Sequence, residues 1–271
     1  MAQEQARSGT ERGSPRHPDV ARRLGLGPAL PVEHWVLPIL VFTAPEEGQR
    51  LVGFAGTGFH AGKGVFVTCW HCVAEELPPD RFYGVLVKER GGYTARALTS
   101  VEQDPAGRDL ATARMVPPIP PVSPTFTTEP ARELEDVCAF GYPLSGLSPE
   151  VSEVGRLPLI QMRTLKGYVV RRFHHEQPDF GTAHSYELDM PAPEGLSGAP
   201  LMTLAWEVLG VVYGTVETAT ITEWASVDEE VGRTPEVQRI VSFAVAHHTD
   251  SLLALSGAAT SGRTLREYLN S

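Results

Sequence analysis

From residue 34 onward, short apolar and β-branched runs alternate with turn signals at strand spacing. Runs 35–43, 51–59 and 65–69 each read as a strand, with Pro45-Glu46-Glu47-Gly48 and Gly62-Lys63-Gly64 as the turns between them. Runs 82–87 and 93–101 flank Gly91-Gly92 as a hairpin. The loop Asp104-Pro105-Ala106-Gly107-Arg108 then delivers a half-buried strand over 110–115. After a break the texture repeats over 136–142, 159–165, 168–173, 185–190, 201–204, 208–213 and 240–246. Residues 217–239 read as a long, acidic, irregular loop. A short helix starts near 250, capped by Thr249 or Asp250, and a helical turn covers 265–269. The chain shows no long amphipathic helix and no short repeat, so an all-β fold is expected.

The break is a run of prolines at 117, 118, 120, 121 and 124, too dense for a helix or a central strand. The reading is a disordered arm over 1–30, a first β unit over 31–116, a stiff linker over 117–125, a second β unit with its helix over 126–256, and a tail over 257–271. A chain of 271 residues with 42% hydrophobic and 21% charged residues has ample material for such cores. The net charge of -10 argues against nucleic-acid and anionic-membrane partners, which want clustered cations. No apolar run approaches membrane-helix length, and residues 1–23 lack the apolar core of a secretory signal. Cys69, Cys72 and Cys138 are odd in number and form no framework. They read as reduced thiols in a cytoplasmic protein.

Candidate chemistry centres on Gly195-Leu196-Ser197-Gly198-Ala199-Pro200, where glycines on both sides of a serine allow a sharp turn with free amide hydrogens. Such a loop can hold a carbonyl oxygen on backbone N–H groups while the hydroxyl attacks. An activated serine needs a base, and the base needs an orienting carboxylate. His71 ends an apolar run, and Asp109 starts the strand that follows the 104–108 loop. Asp104 is the rival carboxylate, set aside because Asp-Pro starts turns. The pairs His174-His175 and His247-His248 suggest metal at first sight. Neighbours on a strand point to opposite faces, so neither pair chelates, and no metal or cofactor is expected.

Four ordered motifs carry a family resemblance. Gly56-Thr57-Gly58-Phe59, Val67-Thr68-Cys69-Trp70-His71-Cys72-Val73, Arg108-Asp109-Leu110-Ala111 and Gly195 to Pro200 together resemble trypsin-like serine proteases of the chymotrypsin fold. The Gly141-Tyr142-Pro143 and Gly210 to Gly214 segments are also similar to that family. The resemblance implies two six-stranded Greek-key β-barrels with the active site in the cleft between them and a short C-terminal helix. It implies Ser197 as nucleophile, His71 as general base and acid, Asp109 as its orienting partner, and the backbone amides of Gly195 and Ser197 as the oxyanion hole. It also implies that Tyr213, Gly214 and Thr215 pair with an extended substrate.

Departures shape the expectation. The family's usual disulfide beside the histidine would pair Cys72 with a cysteine near Gly56, and none is present. Leu196 stands where zymogen-type relatives carry an aspartate that clamps a new N-terminus, so no activation of that kind is expected. Pro191 falls at the base of the specificity pocket, which suggests a small or apolar pocket. Asp189 and Glu194 nearby leave a Lys or Arg preference open, and the acidic 217–239 stretch leans the same way. A signal-less, reduced member resembles the protease domains of bacterial regulatory or defence systems, which act on a cognate protein. The alternatives are a protease-like binding module with a silent cleft, and an α/β-hydrolase esterase using Ser197, Asp228 and His247. The esterase needs helices between strands and a glycine at 199, and the sequence supplies neither.

Overall fold

The computed structural model describes residues 32–44, 50–89, 92–119, 124–152, 155–177, 181–224 and 236–271. The expected arm over 1–30, residues 120–123 of the proline run and residues 225–235 of the acidic stretch lie outside the described residues. The first half forms β1 (Val36–Thr43), β2 (Leu51–Gly62), β3 (Val65–Thr68), β4 (Arg81–Glu89), β5 (Gly92–Gln103) and β6 (Ala111–Val116). They close into a barrel in the order β1-β2-β3-β6-β5-β4. The alternation read in the sequence is the physical cause. Apolar positions such as Leu37, Ile39, Phe59, Phe66, Val85 and Met115 point inward and are buried.

The second half forms β7 (Thr125–Phe126), β8 (Asp136–Gly141), β9 (Gly146–Ser152), β10 (Gly155–Leu159), β11 (Arg163–Gln177), β12 (Gly181–Leu188), β13 (Pro200–Thr203), β14 (Glu207–Trp224) and β15 (Glu236–His248). The order β13-β8-β11-β12-β15-β14 closes through a β13–β14 pairing into a second six-stranded barrel, with β7 added in parallel to β14. Its core gathers Tyr186, Leu188, Leu196, Leu201, Leu209 and Val212. Helix α1 (Thr249–Leu253) follows β15, and α2 (Leu265–Asn270) closes the chain with a Thr264–Glu267 capping box. The expected fold class, two six-stranded antiparallel barrels with a short C-terminal helix, is the fold observed.

Four local readings change. From Arg163 on, the expected strands 159–165 and 168–173 are one strand, β11, running straight through Lys166-Gly167, while Leu159 ends β10. A Cβ at Gly167 would lie 2.4 Å from Asp189 O, so the glycine permits a close chain approach and not a turn. Residues 146–152 and 155–159 form the antiparallel β9–β10 pair, which the sequence reading missed. The described parts of the stretch read as irregular loop, 217–224 and 236–239, are ribbon, with β14 and β15 paired out to Trp224 and Glu236. The cap of α1 is His248, whose ring nitrogen accepts the Asp250 N–H at 3.0 Å, rather than Thr249 or Asp250.

Candidate active site

Strand β3 is buried along its whole length and leads through Cys69 into a 3-10 turn, Trp70–Cys72. The turn buries Cys72 and leaves the His71 side chain 49% exposed at the barrel rim. Asp109 is buried and precedes β6. It receives His71 twice: the backbone N–H donates to Oδ1 at 2.9 Å, and ring Nδ1 lies 2.6 Å from Oδ2. One carboxylate thereby fixes both the backbone and the ring, with the Nδ1–H tautomer facing it. The Asp109 carboxylate first, and the Cys72 sulfur beside the ring second, push the His71 pKa up from the ordinary imidazole value against the opposing effect of burial.

The rival carboxylate does not reach the histidine. Asp104 is buried in an ion pair with Arg108, whose Nε donates to Oδ2 and whose Nη2 donates to Oδ1 at 3.1 Å. Asp104 Oδ1 also accepts the Ala106 N–H at 3.3 Å, so this pair shapes the loop that presents Asp109. Asp104→Ala should cost about 3–5 kcal/mol, because it leaves Arg108 as an unpaired buried charge. Denaturant midpoints check the stability. The turnover of the molecules that remain folded should stay within a few-fold of wild type, in contrast to changes at Asp109.

Ser197 comes from the second barrel, half-buried on the loop before β13. Two glycines give that loop its shape. Gly195 and Gly198 have φ of +91° and +85°, and a Cβ at Gly198 would lie 1.9 Å from Thr57 O. The N–H groups of Leu196, Gly198 and Ala199 bond to Pro193 O, Val212 O and Leu196 O. Those of Gly195 and Ser197 make no bond among the described residues, as a backbone oxyanion hole requires. Leu196 is fully buried in the core of the second barrel, packed toward Gly141. Its side chain anchors the loop by apolar packing.

The two barrels meet at this loop through a residue that the sequence reading passed over. Thr57 of β2 receives Tyr142 N–H on its Oγ1 at 3.0 Å and donates from that oxygen to Gly195 O at 2.6 Å. Its own N–H donates to Ser197 O at 3.0 Å. Cys72 Sγ lies 3.6 Å from the same Ser197 carbonyl. His71 and Asp109 are therefore in direct contact, and Ser197 is held against the residue that follows His71. No Ser197–His71 hydrogen bond is formed in this resting arrangement. Such bonds often tighten only with substrate. Thr57→Val should leave the Tyr142 N–H and the Gly195 carbonyl unpaired. A stability loss of about 1–3 kcal/mol should accompany a fall in kcat, read by denaturation and by single-turnover assay.

The remaining predicted residues surround the loop. A Cβ at Gly56 would lie 2.6 Å from Cys72 Sγ, which is where the family's missing disulfide partner would stand. Cys69, Cys72 and Cys138 are all free and buried. Tyr213 is half-buried and stacks on His247 with centroids 4.1 Å apart. Thr215 donates to Ala192 O at 3.1 Å and ties the β14 edge to the segment before Ser197. Pro191 and Glu194 are exposed on that segment. Asp189 is also exposed, and its carboxylate beside Tyr168 pushes that phenol's pKa up. The His247 that the esterase reading required is buried beneath Tyr213.

Residues 56–211 match the trypsin-like peptidase domain. The fold is similar to the active form of the Rv3671c protease from M. tuberculosis, at 19% identity over 93% of this chain and 91% of that one, with a TM-score of 0.54. It is also similar to the MamO protease domain from Magnetospirillum magneticum, at 17% identity over 81% and 94% of the two chains, with a TM-score of 0.51. A third similar structure is the HtrA-type protease AlgW with a decapeptide, at 15% identity over 81% and 62% of the two chains, with a TM-score of 0.50. No curated protein sequence matches the chain. The family match spans more than half of the residues: the chain belongs to the trypsin-like peptidase domain family.

Proposed function

We propose that the chain is a serine endopeptidase that cleaves peptide bonds through an acyl-enzyme, with Ser197 as nucleophile, His71 as base and acid, and Asp109 as the orienting carboxylate. The observation that carries this reading is the double contact of Asp109 with His71 beside a loop whose Gly195 and Ser197 amides are uncommitted. In that mechanism His71 Nε2 takes the Ser197 proton as Oγ attacks the carbonyl carbon. The resulting oxyanion is held by the two free amides, each worth about 3–4 kcal/mol of barrier. The imidazolium then returns the proton to the leaving amine, and water repeats the sequence to release the acid. Tyr213, Gly214 and Thr215 offer the strand edge for an extended protein or peptide substrate, the class of ligand held by the structurally similar protease with a decapeptide.

The primary pocket is proposed to take small or apolar side chains. Pro191 carries no charge, and Asp189 is an exposed residue beside Tyr168. A positional peptide library should show at least tenfold preference for uncharged over Lys or Arg residues at the cleaved position. Preferred cleavage after Lys or Arg would overturn the pocket assignment and leave the triad reading standing.

Three buried free thiols and the absence of the disulfide beside His71 support a reducing, cytoplasmic setting. There the enzyme acts on a specific cognate protein in a bacterial regulatory or defence system. Proteome-wide comparison of new N-termini between cells with wild-type enzyme and cells with Ser197→Ala tests this. One or a few reproducible wild-type-only cleavages are expected. Broad degradation, or no difference, contradicts a dedicated target. The second reading, a silent binding module, predicts peptide binding without turnover in the same assays.

A further inference from the structure

Strand β14 is longer than the substrate edge proposed for it. That edge uses Tyr213, Gly214 and Thr215, yet β14 runs on to Trp224, paired with β15 along the way. Its other side is occupied only at the start. β7 takes Glu207 and Val208, and β13 takes Val208 to Val211. Val212 then donates to Ala199 O at 2.9 Å and accepts the Gly198 N–H at 2.8 Å, both in the Ser197 loop. Among the described residues no strand pairs with that side past Val211. Thr215, Val216 and Glu217 are exposed there.

Register decides which backbone groups face the open side. Val212 stands opposite Ala246, and a one-residue bulge at Tyr213 sets Gly214 opposite Val245 and Thr215 opposite Ala244. Ala244 donates its N–H away from β14, to Met190 O at 3.1 Å. Residues directly opposed in an antiparallel pair either both face each other or both face away. Thr215 therefore turns its own N–H and C=O to the open side. At every second position Glu217 and Ala219, opposite Ser242 and Ile240, do the same. An open edge of this kind is a template for a further strand. An antiparallel guest whose carbonyl carbon reaches Ser197 lays the residues before the cleaved bond along β14, with its N-terminus toward Trp224. We propose that the substrate adds to β14 as an antiparallel strand out to Ala219. Three of its residues lie opposite Tyr213 to Thr215 and four more opposite Val216 to Ala219. The inference rests on the proposed substrate edge and names what that edge selects: a protein segment extended over about seven residues before the cleaved bond. Because the added bonds run from backbone to backbone, they select extended shape over side-chain identity, and short or helical segments are disfavoured.

Acetylated p-nitroanilides of alternating Ala and Thr that end in Ala, with three, five, seven and nine residues, test this on the full chain. Their kcat/KM should rise at least about tenfold from three to seven residues and stay level from seven to nine. N-methylation of the fifth residue from the cleaved bond, opposite Glu217, should remove most of that gain. N-methylation of the fourth, whose N–H points away from β14, should keep it. Glu217→Pro takes the same bond from the enzyme side and leaves the β15 pairing alone, so the seven-residue substrate should lose the same factor. A level kcat/KM beyond three residues overturns the proposal, and so does a gain that both methylated peptides keep. Calorimetric binding of the same series to Ser197→Ala makes the test independent of turnover. Affinity that grows with length in a chain whose Ser197 takes no fluorophosphonate supports the edge and contradicts the triad reading. Affinity that does not grow in a chain that labels on Ser197 contradicts the edge alone.

Discussion

Ser197→Ala should reduce kcat by on the order of 10⁶, the size of loss found when a triad serine is removed from a serine protease. Stability should change by less than about 0.5 kcal/mol. The two expectations come from different parts of the residue. The loop is held by the Ser197 carbonyl on Thr57 N–H and by its glycines, not by the hydroxyl. In the proposed mechanism the hydroxyl serves the chemistry alone. A variant that folds like wild type, binds peptide and fails to turn over therefore separates a missing nucleophile from a damaged scaffold. Residual turnover within tenfold of wild type would mean that another group attacks the carbonyl.

Asp109→Asn should lower kcat by on the order of 10⁴ with the fold kept. An asparagine can still accept His71 N–H with its oxygen. Its NH₂ then faces Nδ1, which must accept, so the ring proton moves to Nε2 and the base has no lone pair for Ser197. The pH profile adds a signed test. Asp109 is the largest cause of the raised His71 pKa. Activity needs neutral His71, so the acid limb of kcat/KM should lie above the ordinary imidazole value of about 6.5 in the wild type. In Asp109→Asn, whatever activity remains should rise at lower pH. Stability runs the other way. The raised pKa contributes folding stability that is fully present below about 6.5 and is lost as pH climbs through the folded-state value. The variant should therefore lose stability chiefly at the acid end of that window.

The barrels were readable because apolar and β-branched runs of strand length recur between turn signals through β1 to β6. Turn signals such as Gly62-Lys63-Gly64 also mark real turns there. The pattern failed where a second contact set the residue type. Gly167 reads as a turn, yet it is a place where Asp189 passes close by. The β9–β10 pair carries Pro149 and Pro158, which break the strand signal even though the pairing forms. The 217–224 half of β14 lacks an apolar stripe, and only its pairing to β15 reveals it as strand.

At the proposed site, His71, Asp109 and Ser197 could be picked out because chemistry restricts the residue types and their order, and the structure brings Asp109 onto His71. Asp109 could be separated from Asp104 only once Arg108 was seen to occupy the latter. Thr57 was invisible as a clamp, since nothing in a Gly-Thr-Gly string shows that its hydroxyl will join two barrels.

The account stands on Ser197 being activated by His71. Labelling the folded wild-type chain with a fluorophosphonate, followed by intact mass and peptide mapping, tests that most directly. One adduct per chain on Ser197 is predicted, absent in Ser197→Ala and slowed by orders of magnitude in His71→Ala. A folded wild-type chain that takes no label, or takes it on a different residue, would contradict the account.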